Sequence, residues 1–250
     1  MKKLLLATAL VTLSGAAFAQ DVVRLGTEGA YPPYNFINDA GEVAGFEREF
    51  GDELCKRAEL TCEWVTNEWD SIIPNLQSGN YDVIIAGMSI TDEREEVIDF
   101  SAGYLPPASS AYLALSADAD LMSGPVAAQT STIQAAFVAE NGMAVVEYAT
   151  PEETVAAVKN GEAVAVLADK DYLAPIAAES GGELVLLAKE EAIGGGVGLG
   201  FRDSDDELRG KFDAAIKSMK CDGTLDAMIT KDEYFTAAAK TWGDAGKEGC

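Results

Sequence analysis

Apolar and polar positions follow two periods along this chain, and the switches between them mark out its elements. Residues 22–27 form a short apolar run that reads as a strand, followed by the Gly- and Pro-containing loop 28–33; residues 38–42, Asn-Asp-Ala-Gly-Glu, have turn composition. From Phe46 the apolar positions 46, 50, 54 and 58 recur at helical spacing, which assigns Glu47, Arg48, Asp52, Glu53 and Lys56 to the opposite, solvent face. A strand over 62–66 follows. Asp70 is placed as the N-cap of a helix over 71–77, whose Pro74 suits only a first turn, and 81–86 is a buried strand. Strand, helix, strand, helix, strand is the order of a parallel α/β sheet. Such sheets bind ligands beyond the carboxyl ends of their strands, where Glu28, Trp69 and the turn 87–94 all fall.

The pattern then changes. Residues 99–107 read as irregular, 110–116 as strand-like and 117–125 as a surface link, after which a second α/β series begins. It comprises a strand over 126–128, a polar turn over 129–132 and a helix over 133–140. Thr150-Pro151-Glu152-Glu153 is a capping box with Pro at the first helical position; that helix ends at Gly161, and the buried strand 163–168 stops at Asp169. A strand over 183–188, a flexible loop at Gly194-Gly195-Gly196 and a strand over 197–201 come next. Ser204-Asp205-Asp206-Glu207 is read as a second capping box, opening a helix with Leu208, Phe212, Ala215, Ile216 and Met219 on one face, and a last helix covers 224–235.

Composition narrows the class. Residues 1–19 join a Lys-Lys start to the apolar run 4–13 and Ala17-Phe18-Ala19, the form of a secretory signal peptide cut before Gln20. That run is too short to span a bilayer, and no cysteine stands at the cleavage site for a lipid, so the expectation is a freely diffusing periplasmic protein. With 18 basic against 42 acidic residues the formal charge is −24, which repels nucleic acid and anionic membranes as partners. Four cysteines in an oxidising compartment suggest two disulfides with three possible connectivities. Cys55 and Cys62, close in sequence, are the natural local pair at roughly 2.5 kcal/mol in the loop-entropy model, which leaves Cys221 for Cys250. Histidine is absent, so His-based metal sites and Ser-His or Cys-His catalytic pairs are excluded; without a C-x-x-C, no metal or cofactor is expected.

The stretch of greatest chemical interest is 86–94, Ala-Gly-Met-Ser-Ile-Thr-Asp-Glu-Arg. A strand that ends at glycine and continues into a helix start offers unpaired backbone N–H groups to an anion. Arg94 in that first helical turn opposes the helix dipole, and two explanations stand. It pairs on the surface with Asp92, Glu95 or Glu96, or it joins the Ser89 and Thr91 hydroxyls in a bidentate carboxylate clamp.

Assembled, the chain resembles the periplasmic solute-binding proteins of ABC importers, in the polar amino-acid branch that includes lysine/arginine/ornithine, arginine, glutamine and opine binders. The likeness spans the whole chain after the signal. It rests on the segments 26–33, Gly-Thr-Glu-Gly-Ala-Tyr-Pro-Pro; 45–47, Gly-Phe-Glu; 69–74, Trp-Asp-Ser-Ile-Ile-Pro; 89–94, Ser-Ile-Thr-Asp-Glu-Arg; 99–101, Asp-Phe-Ser; and 222–224, Asp-Gly-Thr. The resemblance implies a two-lobed α/β fold of type II, with two strand crossovers forming a hinge near 110–114 and 197–201. Lobe 1 would be 20–110 plus 199–250, and lobe 2 would be 111–198.

It also implies roles. Arg94 would grip a ligand α-carboxylate with Ser89, and Thr132 would close on it from lobe 2. Asp169 would take the α-ammonium with the Gly87 carbonyl, and Tyr31 and Trp69 would sandwich the side chain. Glu28 at the far end would favour a cation. Ala86 and Gly87 stand where basic amino-acid binders usually carry serines. Ala128 and Ala168 stand where glutamine binders carry a lysine and a histidine, which favours arginine or a larger arginine-derived opine over glutamine. Lys170 has no role in this scheme. The function implied is delivery of a cationic amino acid to a membrane permease by a monomeric receptor that is not an enzyme. A dehydratase-like enzyme on the same fold, with Glu28 as proton donor, is the alternative.

Overall fold

The computed structural model describes residues 22–231, 234–235 and 239–250. The expected signal segment lies outside the described residues. In chain order the elements are β1 (Val23–Thr27), β2 (Ala30–Tyr31), β3 (Asn35–Ile37), β4 (Val43–Ala44), α1 (Phe46–Arg57), β5 (Cys62–Thr66), α2 (Ile72–Gln77), β6 (Val83–Ile84), α3 (Asp92–Glu95), β7 (Asp99–Phe100), β8 (Ser110–Ala114), β9 (Val126–Gln129), α4 (Ile133–Glu140), β10 (Val145–Tyr148), α5 (Pro151–Lys159), β11 (Ala165–Asp169), α6 (Lys170–Glu179), β12 (Val185–Glu191), β13 (Gly200–Phe201), α7 (Asp206–Asp222) and α8 (Thr224–Ile229). They build two lobes, each on a five-stranded sheet: β5-β1-β6-β13-β7 in the first and β10-β9-β11-β8-β12 in the second. A small hairpin sheet, β2-β3-β4, flanks the first.

In each lobe the first three strands of the sheet order are parallel and the fourth is antiparallel: β1 pairs parallel with β5 and β6, β9 with β10 and β11, whereas β13 and β8 run against their neighbours. The chain leaves the first sheet after β7, enters the second at β8, and returns between β12 and β13. The two connecting segments touch each other through a bridge between Leu105 and Val197.

Lobe 1 packs α1 and α7 on its sheet around Phe46, Phe50, Leu54, Phe201, Phe212 and Ile216, none more than 1% exposed. The core of lobe 2 is smaller-grained, with Ala127, Ala157, Val158, Val166 and Leu173 at its centre. Both disulfides are in lobe 1: Cys55–Cys62 ties the end of α1 to β5, and Cys221–Cys250 ties α7 to the chain end.

Several local expectations are corrected. Glu47 is not on the solvent face of α1 but fully buried; the helix buries a second row at i, i+4 spacing, Glu47-Gly51-Cys55, beside Phe46, Phe50 and Leu54. Asp70 caps nothing: Trp69–Ser71 is a 3₁₀ turn, and α2 starts after Ser71. Ser204 gives its hydroxyl to Asp205 rather than to a helix N–H, so the second capping box is absent, whereas the Thr150/Glu153 box forms both bonds. The structure adds helix α6, strand β10 and the three-stranded sheet β2-β3-β4 to the expected elements. Pro175 inside α6 hid that helix, because proline removes an intrahelical donor. The central strand expected over 81–86 is regular only at Val83–Ile84, and the one expected over 197–201 only at Gly200–Phe201. The strand expected over 183–188 runs instead from Val185 to Glu191. The irregular stretch after Ile98 contains the two-residue β7, and α8 ends at Ile229, short of 235.

Candidate functional site

The carboxyl ends of the parallel strands in the two lobes point into one cleft, and the residues that follow those ends line it. Glu28 follows β1, Trp69 follows β5, and Ala86, Gly87, Ser89 and Arg94 follow β6. Gln129 ends β9 and Thr132 caps α4 beyond it, while Asp169 ends β11. The cleft is bordered by Glu28, Tyr31, Trp69, Gly87, Ser89, Arg94, Thr132 and Asp169 together. It opens two ways. A groove on one side shares Glu28 and Trp69 with it, and a groove on the other shares Arg94, Thr132 and Ile133, so Glu28 and Arg94 mark opposite ends.

At the Arg94 end, Thr91 caps α3 by accepting from the Arg94 N–H at 3.3 Å, which sets the side chain at the root of the loop. Nη1 donates to the Ser89 carbonyl at 2.8 Å, Nη2 reaches the Ser131 carbonyl of lobe 2 at 3.4 Å, and the guanidinium lies 5.4 Å over the Trp69 ring. The surface-pair explanation fails: among the described residues no carboxylate lies within salt-bridge distance of Arg94. Burial lowers its pKa to about 10, against the pull of Asp169 and Glu93. A partly buried guanidinium that keeps its charge and has no carboxylate partner of its own is a strong site for a carboxylate.

At the facing wall, Asp169 accepts from the Tyr31 hydroxyl at 3.0 Å and from Gln134 Nε2 at 3.0 Å, while its own N–H donates back to the Tyr31 oxygen at 3.1 Å. Burial raises its pKa to about 6, helped by Asp171 and opposed by Tyr31, Arg94 and Gln134. Tyr31 also stacks on Tyr172 of α6, with centroids 4.4 Å apart, so one of its two faces is taken from lobe 2. Glu28, at the other end, accepts from Gln129 Nε2 at 2.6 Å; burial lifts its pKa to about 7, with the Gln129 bond pulling the other way.

Thr132 borders the cleft and also closes the turn into α4. Its hydroxyl donates to the Gln129 carbonyl at 2.6 Å and accepts from Ala135 N at 3.2 Å, so its proton is committed to the turn. Ser89 packs against the glycine run: a Cβ at Gly194 would stand 3.0 Å from its Oγ. That run is tied to the loop before α3, since Gly195 N donates to Ile90 O and Ile90 N to Gly196 O, at 3.1 and 2.9 Å. Gly196, at φ +101, brings its backbone where a Cβ would collide with the Leu105 carbonyl. Lys170 is turned away, paired with Glu190 at 2.5 Å.

Behind the cleft lies a network that the sequence did not disclose. Glu47, fully buried, accepts from Asn35 Nδ2 at 2.7 Å, from Gly87 N at 2.6 Å and from the Tyr104 hydroxyl. Asn35 in turn accepts from Gly29 N at 2.7 Å, so one carboxyl holds the loops carrying both Glu28 and Gly87. Gly87 sits at φ +63, where a side chain would be strained. Gln129 and Gln134 also escaped the sequence reading; for Gln129 the available signal was a polar residue closing an apolar strand, as at Asp169, whereas Gln134 lies in the first turn of α4. Among the described residues no cluster of His, Cys, Asp or Glu could hold a metal ion.

Residues 23–237 match the family of bacterial extracellular solute-binding proteins, family 3. The chain is 35% identical to the L-arginine-binding protein of Pseudomonas aeruginosa, over 94% of this chain and 97% of that one. It is 33% identical to the lysine/arginine/ornithine-binding periplasmic protein of Escherichia coli, with the same coverage. A crystal structure of a periplasmic His/Glu/Gln/Arg/opine family-binding protein from Silicibacter pomeroyi, in complex with lysine, is 70% identical and superposes with a TM-score of 0.86, covering 88% of this chain and 100% of that one. The chain belongs to the bacterial extracellular solute-binding proteins of family 3.

Proposed function

We propose that this chain is the periplasmic substrate-binding component of an amino-acid ABC importer, holding a cationic amino acid between its lobes and delivering it to a membrane permease. The observation that carries the reading is the disposition of charge: a buried guanidinium from lobe 1, a buried carboxylate from lobe 2 and a second carboxylate at the opposite end of the same cleft. A zwitterion with a cationic tail is the complement of that set. Arg94 takes the α-carboxylate, Asp169 the α-ammonium and Glu28 the side-chain cation, with Trp69 and Tyr31 along the aliphatic part. Arginine- and lysine-binding relatives support the assignment. In this scheme the lobes divide at about 110 and 199, and the connecting segments between the sheets act as the hinge. No described helix is long and apolar enough to cross a membrane, in keeping with a receptor that meets its permease from the periplasm.

Native mass spectrometry of the purified protein, followed by a thermal-shift panel, tests the reading. Arginine, lysine and ornithine should stabilise; stabilisation by acidic or aliphatic amino acids alone would contradict it. One observation favours a second reading: Glu28, with a pKa of about 7, is poised to give a proton inside the cleft. A similar solved structure is an ancestral amino-acid-binding protein described as a precursor of cyclohexadienyl dehydratase, at 28% identity and a TM-score of 0.75. Prolonged incubation with bound ligand and mass analysis separates the two, since an enzyme changes the ligand mass and a receptor does not.

A further inference from the structure

We infer that Gln129 is a positioning residue that sets specificity, holding Glu28 across the cleft as the acceptor for the ligand's cationic end. The inference rests on the proposed assignment of Glu28 to that end.

Gln129 closes β9 and is 8% exposed, with its backbone in register opposite Tyr148 of β10. Its side-chain nitrogen meets two acceptors, Glu28 Oε1 at 2.6 Å and the Ala149 carbonyl at 3.1 Å. The amide orientation is therefore determined, because the flipped form would set its oxygen against two acceptors. Ala149 directly follows β10, on the same lobe as Gln129, so the carboxamide is anchored in lobe 2 and reaches over to lobe 1. Glu28 takes this bond on Oε1, and among the described residues Oε2 accepts none.

A carboxylate removed from water tends to become neutral, and a neutral carboxyl has lost its attraction for a cation. A donor at Oε1 opposes that tendency and fixes the side-chain rotamer. A carboxamide does so without bringing charge of its own, whereas lysine or arginine at this position would cancel the carboxylate that the ligand needs. Because the donor belongs to the other lobe, discrimination for a cation is complete only when the lobes are together. Gln134 does the equivalent for Asp169, but from within lobe 2.

Calorimetric titration with L-arginine and its neutral isostere L-citrulline, on the wild type, Gln129→Met, Glu28→Gln and the double variant, tests this. Gln129→Met should weaken arginine about tenfold or more, the scale of a hydrogen bond to a charged group, while citrulline changes less than about threefold. In the Glu28→Gln background, adding Gln129→Met should leave arginine affinity unchanged. Gln129→Asn, which withdraws the amide by one methylene, carries the same expectation should the methionine variant not fold. Equal losses for both ligands, or the same arginine loss in the Glu28→Gln background, would overturn the inference while leaving the proposed function standing. An unchanged preference for arginine in Glu28→Gln alone would instead overturn the assignment of Glu28 and this inference with it.

Discussion

The two lobes present their groups to the cleft in different ways. Lobe 1 holds its loops from behind, through the buried carboxyl of Glu47 and its three donors, and both disulfides brace the same lobe. Lobe 2 is braced more lightly: Gln134 holds Asp169 from within it, but its groups stand at strand ends and complete their bonding partly on lobe 1, Asp169 through Tyr31 and Gln129 through Glu28. The difference teaches that lobe 1 is preorganised and lobe 2 is finished by closure. Ligand contacts from lobe 1 should therefore set whether binding occurs at all, and contacts from lobe 2 how firmly the closed state is held.

The largest break in that comparison is Arg94→Ala. Truncating one member of a desolvated charge pair costs about 2–5 kcal/mol, so affinity for every α-amino acid should fall about a hundredfold or more by calorimetry. Retained affinity would refute the clamp. Next is Glu47→Leu, which leaves Asn35, Gly87 and Tyr104 without their acceptor; a loss of about 3–5 kcal/mol in chemical denaturation is expected, with weakened binding, although Glu47 itself does not line the cleft.

A change of pH should act on both lobes at once. Glu28 and Asp169 have folded pKa values raised to about 7 and about 6, so the stability of the ligand-free protein linked to them is full below their unfolded values and is lost as pH rises through 6 to 7. Binding of a cationic zwitterion has the opposite sign because it needs both ionised. Arginine affinity should fall as pH drops below 7, by up to about tenfold per unit for each proton taken up, and binding near pH 7 should release protons. The smallest effect is on lobe 2: Gln134→Leu removes one donor from Asp169 and should cost about 1–2 kcal/mol in binding, with less effect on folding than Glu47→Leu.

The sequence made most of the frame legible, for reasons that differ by element. Helices α4 and α5 begin at threonine caps, Thr132 and Thr150, and they and strand β5 fall close to where they are read. All eight proposed ligand contacts border one cleft, because each follows the carboxyl end of a strand or the hairpin beside it, a position that motif order marks even before the fold is known. What stayed hidden depends on contacts between distant segments. Glu47 occupies a polar position in an amphipathic pattern, and only the approach of Asn35, Gly87 and Tyr104 makes burial tolerable. Gln129 looked like ordinary turn polarity until β1 brought Glu28 to it. The bond from the Thr132 hydroxyl to the Gln129 carbonyl was hidden in the same way.

The central claim is that the cleft reads both charged ends of an α-amino acid, and titration of ligand-free protein with L-arginine and with agmatine, its counterpart lacking the α-carboxylate, tests it most directly. The account predicts one site for L-arginine and agmatine binding at least about a hundredfold weaker, the scale of a desolvated charge-assisted pair. Agmatine binding as tightly as L-arginine would contradict it.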